Sequence, residues 1–438
     1  MPLTWRHLTV PLLLGSLACS GASRSAVSAP APSGACCLEQ GRRIAQTNRV
    51  TALTARRFTH TEYWAALDPL LKSKALRVTP VGTSTQGRAL RAITFGTGPT
   101  TVFLWSQMHG DESTATMALA DLLSWFSAAE RERDPLRDEI AARLTVVMLP
   151  MLNPDGAEIF QRENAVGVDI NRDVRRQSTA EARTLKAVRD SIKPAFGFNL
   201  HDQNARTLGR PGGQRVGIAL LAPAADSVNG FGQTRAAARL VAARIRDVLE
   251  RDIPGRIARY DDAFNKRAFG DLFQSWGTST VLIESGALPD DPEKQRLRTV
   301  NVIAILSALD AIATGGYRNE DPAVYMSLPV NDRSAVDVVV TGASLVIPGQ
   351  PPVRVDLSMN YDDPLRKGRA RVREIGDLDD VVAFDTIAAP GLFLHPAESM
   401  LTEKSGNRWL RIGANVQLSI RRGPEPGSAL VRELGGNR

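Results

Sequence analysis

Cysteine is scarce in this chain and confined to its beginning, and this excludes several kinds of site from the rest of the protein. The 438 residues include three cysteines, Cys19, Cys36 and Cys37, and none follows residue 37. A cysteine nucleophile and thiolate zinc ligands are therefore excluded from the main body of the protein.

The chain also has no long basic run and few aromatic side chains. The net charge is +7, but Lys and Arg are scattered along the sequence, and aromatic residues make up only 5% of it. Nucleic-acid surfaces usually combine clustered basic residues with interleaved aromatic ones. We therefore expect no nucleic-acid partner.

The first residues have the pattern of a targeting segment. Arg6 and His7 precede the apolar run 8–17, which is too short to span a bilayer, and Ser16-Leu17-Ala18 fits a cleavage site. Residues 1–18 are therefore predicted to be a signal peptide, and the protein to be exported to a periplasmic or extracellular location. A lipid on Cys19, which would attach the protein to a membrane, and simple export are both open. No other stretch is predicted to cross a membrane.

The sequence after the leader changes character twice. Residues 19–40 are rich in Ser, Ala, Pro and Gly, which predicts a flexible spacer. Residues 41–315 alternate apolar strand-like runs with helical ones, which predicts an α/β catalytic domain. Residues 316–438 hold short β-branched runs separated by Pro, Gly and Asp, which predicts a small all-β C-terminal domain.

Histidine is the next scarce residue, and its few positions limit where a metal ion could bind. The chain has five histidines: His7, His60, His109, His201 and His395. His7 lies in the leader, the surroundings of His60 favour a solvated surface position, and those of His395 favour a structural one. The other two each follow an apolar run that is predicted to be a strand.

These two histidines have the spacing of metal ligands. His109 and Glu112 lie three residues apart where the run 101–105 enters a helix, so both side chains can face one ion. His201 follows a second apolar run at 195–200. Two histidines and one glutamate leave the fourth zinc position open for water, and open zinc sites catalyse hydrolysis. The alternative is that each histidine is an ordinary core or surface group.

Four further residues could carry chemistry. Glu284 ends the apolar run 280–284, where a carboxylate costs desolvation energy unless it is paired with an arginine or used as a general base. Asn171 and Arg172 suit a substrate with a free carboxyl group, because a guanidinium binds a carboxylate through two parallel hydrogen bonds. Arg162 could polarise a carbonyl as an oxyanion donor. For both arginines, a surface position is the alternative.

In chain order, these residues and several short motifs resemble those of the zinc metallocarboxypeptidase family, the carboxypeptidase A-like peptidases. The resemblance covers roughly residues 60–315. Its elements are Gly82–Arg88, His109-x-x-Glu112, Asn153-Pro154-Asp155-Gly156, Arg162, Gly167–Arg172, His201 and Glu284. Each element alone is weak, but their order is characteristic of the family.

The resemblance implies a fold, a cofactor and roles for the residues. The fold would be a mixed, mostly parallel sheet flanked by helices, and one Zn²⁺ per chain would be held by His109, Glu112 and His201. Glu284 would take a proton from a zinc-bound water and later give it to the leaving amine. Arg162 would stabilise the oxyanion.

On the substrate side, the resemblance implies that Asn171 and Arg172 hold the terminal carboxylate. The tyrosine that caps the substrate in the family has no clear equivalent, and Tyr260 is the nearest candidate. Asp111 departs from the digestive members, which have an arginine between the first two ligands.

The predicted function is therefore an exported zinc-dependent metallocarboxypeptidase that acts on a peptide substrate with a free C-terminal carboxylate. A zinc amidase of the same fold, acting on cell-wall stem peptides or N-acyl amino acids, stays open as the alternative. A non-catalytic binding protein is disfavoured, because all three ligands and Glu284 are present.

Overall fold

An eight-stranded mixed sheet forms the first part of the fold. The structure is a computed structural model that describes residues 33–228, 230 and 232–435. The strands are β1 (Leu76–Thr83), β2 (Ala89–Phe95), β3 (Thr100–Ser106), β4 (Leu144–Leu149), β5 (Phe196–Asp202), β6 (Ile218–Leu221), β7 (Ile257–Arg259) and β8 (Ser279–Ser285). Their order is β1-β2-β4-β3-β5-β8-β6-β7. The pairs β3–β4, β3–β5, β5–β8 and β6–β7 are parallel, so the predicted mixed, mostly parallel sheet is confirmed.

Ten helices lie within the described residues, and several begin or end at residues suited to those positions. They are α1 (Ser33–Thr47), α2 (His60–Leu67), α3 (Thr114–Ser127), α4 (Pro135–Arg143), α5 (Pro154–Ile159), α6 (Ala180–Ile192), α7 (Gln233–Leu249), α8 (Phe269–Ser275), α9 (Gln295–Thr314) and α10 (Pro322–Met326). Thr59 and Glu62 form a capping box at the start of α2. Thr179 caps α6 through its side chain, and Gly315 ends α9 with a left-handed φ of 74°.

The beginning of the described chain differs from the predicted spacer. Residues 33–40 of the segment 19–40 lie in α1, where Leu38, Ile44 and Ala45 are buried in the main hydrophobic core. Local composition missed this helix because Ser, Gly and Cys precede its apolar face. The predicted signal peptide, the rest of the spacer and Cys19 lie outside the described residues.

Helix α9 is the central core helix. By length and composition it could cross a membrane, but 78% of its most apolar window is buried inside this fold, where it packs against α3 and α7. Its largely apolar sequence lacks the 3.6-residue period of a surface helix, so it resembles a membrane span by composition. Its burial is that of a core helix in a globular domain.

A buried ion pair joins α9 to α3 and gives the first testable prediction. Asp121 and Arg298 are completely buried, and Arg298 Nε donates to Asp121 Oδ2 at 2.7 Å. Val50 N donates to the same carboxylate, so the pair also holds the segment before α2. Asp121→Ala leaves the guanidinium buried without its partner, and we expect a loss of about 3–5 kcal/mol in the free energy of unfolding, measured by urea denaturation.

The control for this variant is a surface pair. Asp138 bonds Arg133, whose side chain is 93% exposed, so Asp138→Ala should cost about 0–1 kcal/mol. Equal losses for the two variants would contradict the assignment of Asp121–Arg298 as a tie within the core.

From residue 336 onward the C-terminal region is built from β-strands, as predicted, whereas α10 (Pro322–Met326) departs from the all-β prediction for residues 316–438. The strands are β9 (Val336–Leu345), β10 (Val353–Tyr361), β11 (Ala370–Gly376), β12 (Ala383–Ala388), β13 (Phe393–Pro396), β14 (Leu401–Lys404), β15 (Asn407–Leu410), β16 (Gln417–Arg421) and β17 (Leu430–Gly435). The main sheet has the order β11-β10-β9-β13-β16-β17, with β12 beside β9, and β14 pairs with β15. Its side chains form a separate core around Val340, Leu357 and Leu418. The domain boundary proposed at residues 315 and 316 stays a prediction.

Candidate active site

The predicted site residues lie at one edge of the main sheet. His109 follows β3, His201 lies near the end of β5, and Glu284 lies near the end of β8. These three strands are neighbours and run parallel, so their carboxyl ends share one edge. His201 and Glu284 are directly opposed in the register of β5 and β8. The topology therefore brings together three residues that are far apart in sequence.

His109, Glu112 and His201 form a compact cluster in which each offers a ligand atom within 4.8 Å of the others. The Nδ1 atoms of the two histidines are 3.2 Å apart, and Glu112 approaches them at 2.7 and 2.6 Å. Nitrogen ligands of a tetrahedral zinc, about 2.0–2.1 Å from the metal, are separated by roughly 3.3 Å. The cluster therefore fits a zinc ion in both ligand type and spacing.

The electrostatics of the cluster favour a cation at its centre. Burial opposes the charged form of His109, but the carboxylates of Glu112 and Asp169 outweigh it and raise its pKa to about 9. Burial likewise disfavours the charged form of Glu112, but His109 and His201 hold its pKa well below the usual range. Burial lowers the pKa of His201, which favours the neutral form that binds metals. A divalent cation supplies the positive charge that this arrangement attracts.

Asp169 supports the cluster, and sequence reasoning gave it no role. Its Oδ1 lies 3.2 Å from Nε2 of His109, on the opposite side of the ring from the other ligands. Carboxylates commonly fix metal-binding histidines in this way. His201 differs, because its Nε2 is buried without a hydrogen-bond partner in the described part of the chain. The one sequence feature that could have indicated a role for Asp169 is its position two residues before Asn171.

Arg162 is aimed at the cluster by the same carboxylate. Its Nε and Nη2 donate to Asp169 Oδ2 at 3.1 and 2.8 Å, which fixes the plane of the guanidinium. The remaining Nη1 lies 3.4 Å from Glu112 Oε1 and 3.1 Å from His109 Nδ1. A donor held this close to the ligands can stabilise negative charge on a substrate oxygen beside them.

Gly110 and Gly156 allow the segments that carry His109 and Asn153 to approach each other closely. A Cβ atom on Gly110 would lie 2.1 Å from the backbone of Gly156. The segment after β3 therefore passes the start of α5 at a distance that leaves no room for a side chain on Gly110. Asn153 caps α5 by accepting from Gly156 N, and its Nδ2 donates to the carbonyl of Arg162. The first turn of α5 and its cap Asn153 therefore set the position of Arg162 relative to the cluster.

The turn at 82–88 is bonded to the first turn of α5 through a buried carboxylate. Asp155 accepts hydrogen bonds from Ser84 Oγ at 2.7 Å, Gln86 N at 2.9 Å and Arg88 Nη1 at 2.7 Å. Its side chain is fully buried. The conformation of the turn at 82–88 therefore depends on the start of α5, which also supports Arg162. This contact gives a physical reason for two of the sequence motifs.

Glu284 faces the cavity without an ion pair or hydrogen bond that would neutralise it among the described residues. The alternative of a salt bridge to an arginine is therefore not what the structure has. Burial, and next the negative charge of Glu112, raise the pKa of Glu284 well above its ordinary value. A carboxylate in this condition is a stronger proton acceptor than an exposed one.

Asn171 and Arg172 lie on the wall of the same cavity. Asn171 Oδ1 accepts from Phe269 N at 2.8 Å, which anchors the amide and leaves its NH₂ group as the free donor. Arg172 is exposed, its Nη1 donates to the backbone carbonyl of Asn171, and it has no carboxylate partner within the described residues. A guanidinium and an amide are thus available to an anionic group that enters the cavity.

Tyr260 also lines the cavity, directly after β7. The guanidinium of Arg333 lies over its ring, 5.0 Å from the centroid. Burial and the charge of Glu284 raise the pKa of the Tyr260 phenol, so its hydroxyl is protonated at neutral pH. The structure thus brings Tyr260 to the site, while its capping role stays a prediction.

The cavity that these residues line has a volume of about 640 Å³, and the C-terminal region supplies part of its wall. Arg333, Pro364 and Leu365 belong to that wall. The loop that carries Pro364 is held by an ion pair between Arg56 and Asp363. The β-rich region is therefore part of the boundary of the cleft.

Comparison with known proteins identifies the segment that holds most of these residues. The family model of the zinc carboxypeptidases (peptidase M14) matches residues 64–198. Within residues 64–198 the chain is therefore similar to the zinc carboxypeptidases. The family is zinc-dependent, which agrees with the His-Glu-His cluster, although His201 and Glu284 lie beyond the matched range.

Curated relatives match over short stretches of about 100 residues. Carboxypeptidase SOL1 of Arabidopsis thaliana is 34% identical over 107 residues, which is 23% of this chain and 22% of that protein. The probable carboxypeptidase 2 of Arthroderma benhamiae is 28% identical over 109 residues, which is 25% of this chain and 20% of that protein. The chain thus matches about a fifth of the length of these relatives.

Solved structures that are similar to this chain include a metallo-carboxypeptidase from Burkholderia cenocepacia. It is 16% identical, with 58% of this chain and 70% of that one covered at a TM-score of 0.48. Carboxypeptidase A from Helicoverpa armigera is 15% identical, with 63% and 80% covered at a TM-score of 0.47.

Proposed function

We propose that this protein is an exported zinc metallocarboxypeptidase that hydrolyses the C-terminal peptide bond of its substrate. The proposal rests above all on one juxtaposition. An exposed guanidinium without a carboxylate partner, Arg172, shares a cavity with the ligand cluster of His109 and with the unpaired carboxylate of Glu284. An anion site beside a hydrolytic centre is what removal of a C-terminal residue requires.

In this proposal each residue acts at a stated atom. One Zn²⁺ per chain, held by His109, Glu112 and His201, supplies Lewis acidity that polarises a carbonyl and acidifies water. A carboxylate oxygen of Glu284 accepts a proton from the attacking water and returns it to the leaving amine nitrogen. Arg162 Nη1 donates to the carbonyl oxygen as negative charge develops there, which is worth about 3–4 kcal/mol on the barrier.

At the other end of the scissile residue, Arg172 and the NH₂ group of Asn171 bind the terminal carboxylate. Tyr260 covers the bound residue from the side of β7. These contacts place the last peptide bond, rather than an internal one, beside Glu284. The substrate is therefore a peptide with a free C-terminal carboxylate.

Hydrolysis of short peptides tests this proposal directly. Peptides with a blocked N-terminus and a free C-terminal carboxylate are compared with the same peptides as C-terminal amides, with and without a chelator. We expect chelator-sensitive release of the last residue from the free acids only. Zinc-dependent cleavage of cell-wall stem peptides or N-acyl amino acids, without cleavage of these peptides, would favour the amidase alternative.

Replacement of Arg172 tests the carboxylate site. A hydrogen bond to a charged group contributes about 1.5–3 kcal/mol, so Arg172→Met should lower kcat/KM for free-acid peptides by about 10- to 100-fold, mainly through KM. Arg175→Met is the matched control, because Arg175 is exposed in the same loop but does not line the cavity. Equal KM values for wild type and Arg172→Met would refute the assigned role.

Export is part of the same proposal and has its own test. Fractionation of cells that express the full chain should place the mature protein outside the cytoplasm, with cleavage before Cys19. Metabolic labelling with a fatty acid, compared between wild type and Cys19→Ser, separates a lipid anchor from simple export.

A further inference from the structure

A buried lysine lies behind the candidate site, and no step of the proposed hydrolysis uses it. Lys294 is 4% exposed and borders the cavity that contains the ligand cluster. Its Nζ donates to Asp202 Oδ2 at 2.9 Å and to the carbonyl of Ser285 at 3.3 Å. A buried ammonium persists only where such partners compensate for its lost hydration.

The two acceptors directly follow two site residues. Asp202 comes after His201 on β5, and Ser285 comes after Glu284 on β8. His201 is paired with Glu284 in the register, and Asp202 is paired with Ser285. One ammonium group therefore connects the ends of the two strands that carry the third metal ligand and the carboxylate base.

Asp202 extends this connection to the remaining ligands. Its Oδ2 also accepts from Thr114 Oγ1 at 2.6 Å, at the start of α3. Its backbone N donates to Glu112 Oε2 at 3.1 Å. Lys294 thus holds the side chain of Asp202, whose backbone is joined to His201 and donates to Glu112, so a displacement of Asp202 would reach both ligands.

The backbone at Lys294 indicates that this contact is maintained against a local preference. Its φ is 52°, in the left-handed region that favours glycine, immediately before α9 begins. Lys294 N donates to the carbonyl of Asp291 at 3.1 Å, which stabilises this turn. After β8 the chain turns back, and this places the ammonium group of Lys294 between the ends of β5 and β8.

We propose that Lys294 is a positioning residue that holds Glu284 at a fixed place relative to the metal ligands. The proposal rests on the proposed function, in which Glu284 is the base. A displacement of about 1 Å in a reacting group can lower a rate by about 100-fold, so a tie between the two strand ends acts on kcat. Substrate binding depends on Arg172 and Asn171, which Lys294 does not contact.

The first experiment compares Lys294→Met with wild type in the full-length zinc-loaded protein. We expect kcat to fall by about 100-fold while KM changes by less than about twofold. Zinc affinity, measured by competition with a chelator, should fall by about 10-fold, as for other residues that support metal ligands. Lys186→Met is the matched control, because Lys186 pairs with Asp190 on the outer face of α6 and should change neither quantity.

A second variant covers the case in which Lys294→Met folds poorly because Asp202 is left buried and unpaired. Asp202→Asn combined with Lys294→Met removes both charges, and its melting temperature should approach that of wild type. If its kcat stays low at full zinc occupancy, the positioning role is supported. Recovery of kcat to within about threefold of wild type would overturn it, since charge balance alone would then explain the pair.

The two proposals fail in different ways. If the wild type hydrolyses none of the peptides, the proposed function fails. The zinc affinity of Lys294→Met, compared with wild type, then still tests whether Lys294 supports the metal ligands. If Lys294→Met retains both wild-type kcat and wild-type zinc affinity, the positioning role fails while the proposed function stands.

Discussion

Replacing Glu284 by glutamine should reduce kcat by about 10³-fold while zinc content and KM stay close to wild type. Glutamine has nearly the same shape as glutamate but cannot accept the proton of the attacking water. Glu284 has no hydrogen bond or ion pair to lose among the described residues, so the substitution removes chemistry with little change in contacts. Steady-state kinetics on a free-acid peptide, with metal analysis of the same sample, measures both quantities.

The comparison with Glu112→Gln makes this result specific. Glu112 accepts from Asp202 N and contacts both histidines, so its replacement should lower zinc content as well as rate. Glu250→Gln serves as the control, because Glu250 is the half-buried C-cap of α7 and does not line the cavity. If Glu284→Gln turned over peptides at the wild-type rate, another group would have to be the base.

The pH profile offers a second readout on the same variant. A general base must be ionised to act, so the rate should rise with pH through the pKa of Glu284, which burial and Glu112 raise. The glutamine variant should lack this acidic limb in its residual activity.

The placement of His109, His201 and Glu284 could be predicted because each residue stands at the end of an apolar run. Such runs indicate buried parallel strands, and parallel strands present their carboxyl ends at one edge of the sheet. The sequence did not specify that β3, β5 and β8 would be neighbours, since strand order depends on contacts between distant segments. The resemblance to a known family implied that the three residues share one site, but it did not give this strand order.

Asp169, Asp155 and Lys294 could not be assigned from the sequence, because their partners are distant in the chain. Asp169 contacts His109, which lies 60 residues away, and Lys294 contacts Asp202, which lies 92 residues away. A single acid or lysine in a polar loop resembles any solvated residue until the fold brings its partner near. Supporting residues of this kind are therefore found from the structure rather than from motifs.

The fold was predicted least well where apolar pattern and length gave little signal. Helix α9 is packed among α3, α4 and α7 and is mostly buried, so its sequence lacks the periodicity of a helix with one polar face. Strands β6 and β7 are four and three residues long, below the length at which alternation can be recognised. In the sheet, β6 and β7 lie beyond β8, where β6 pairs antiparallel with β8 and ends the parallel run.

Replacing His201 by alanine should abolish both bound zinc and peptide hydrolysis. His201 supplies one of three ligand atoms that lie within 4.8 Å of one another, and two ligands do not complete a site with one open position. Metal analysis after dialysis should give about one zinc per chain for wild type and close to none for the variant. Activity should fall to the level of chelator-treated wild type.

Thermal unfolding supplies a test of the same substitution that does not depend on activity. A ligand that binds only the folded state at 1,000 times its dissociation constant stabilises it by about 4 kcal/mol, so added zinc should raise the melting temperature of wild type but not of His201→Ala. His395→Ala is the matched control, because His395 contacts Gly423 within the β-rich region and should leave the zinc response intact. A zinc-induced shift of equal size in His201→Ala would mean that the ion binds elsewhere, because the folded state would then gain the same free energy without this ligand.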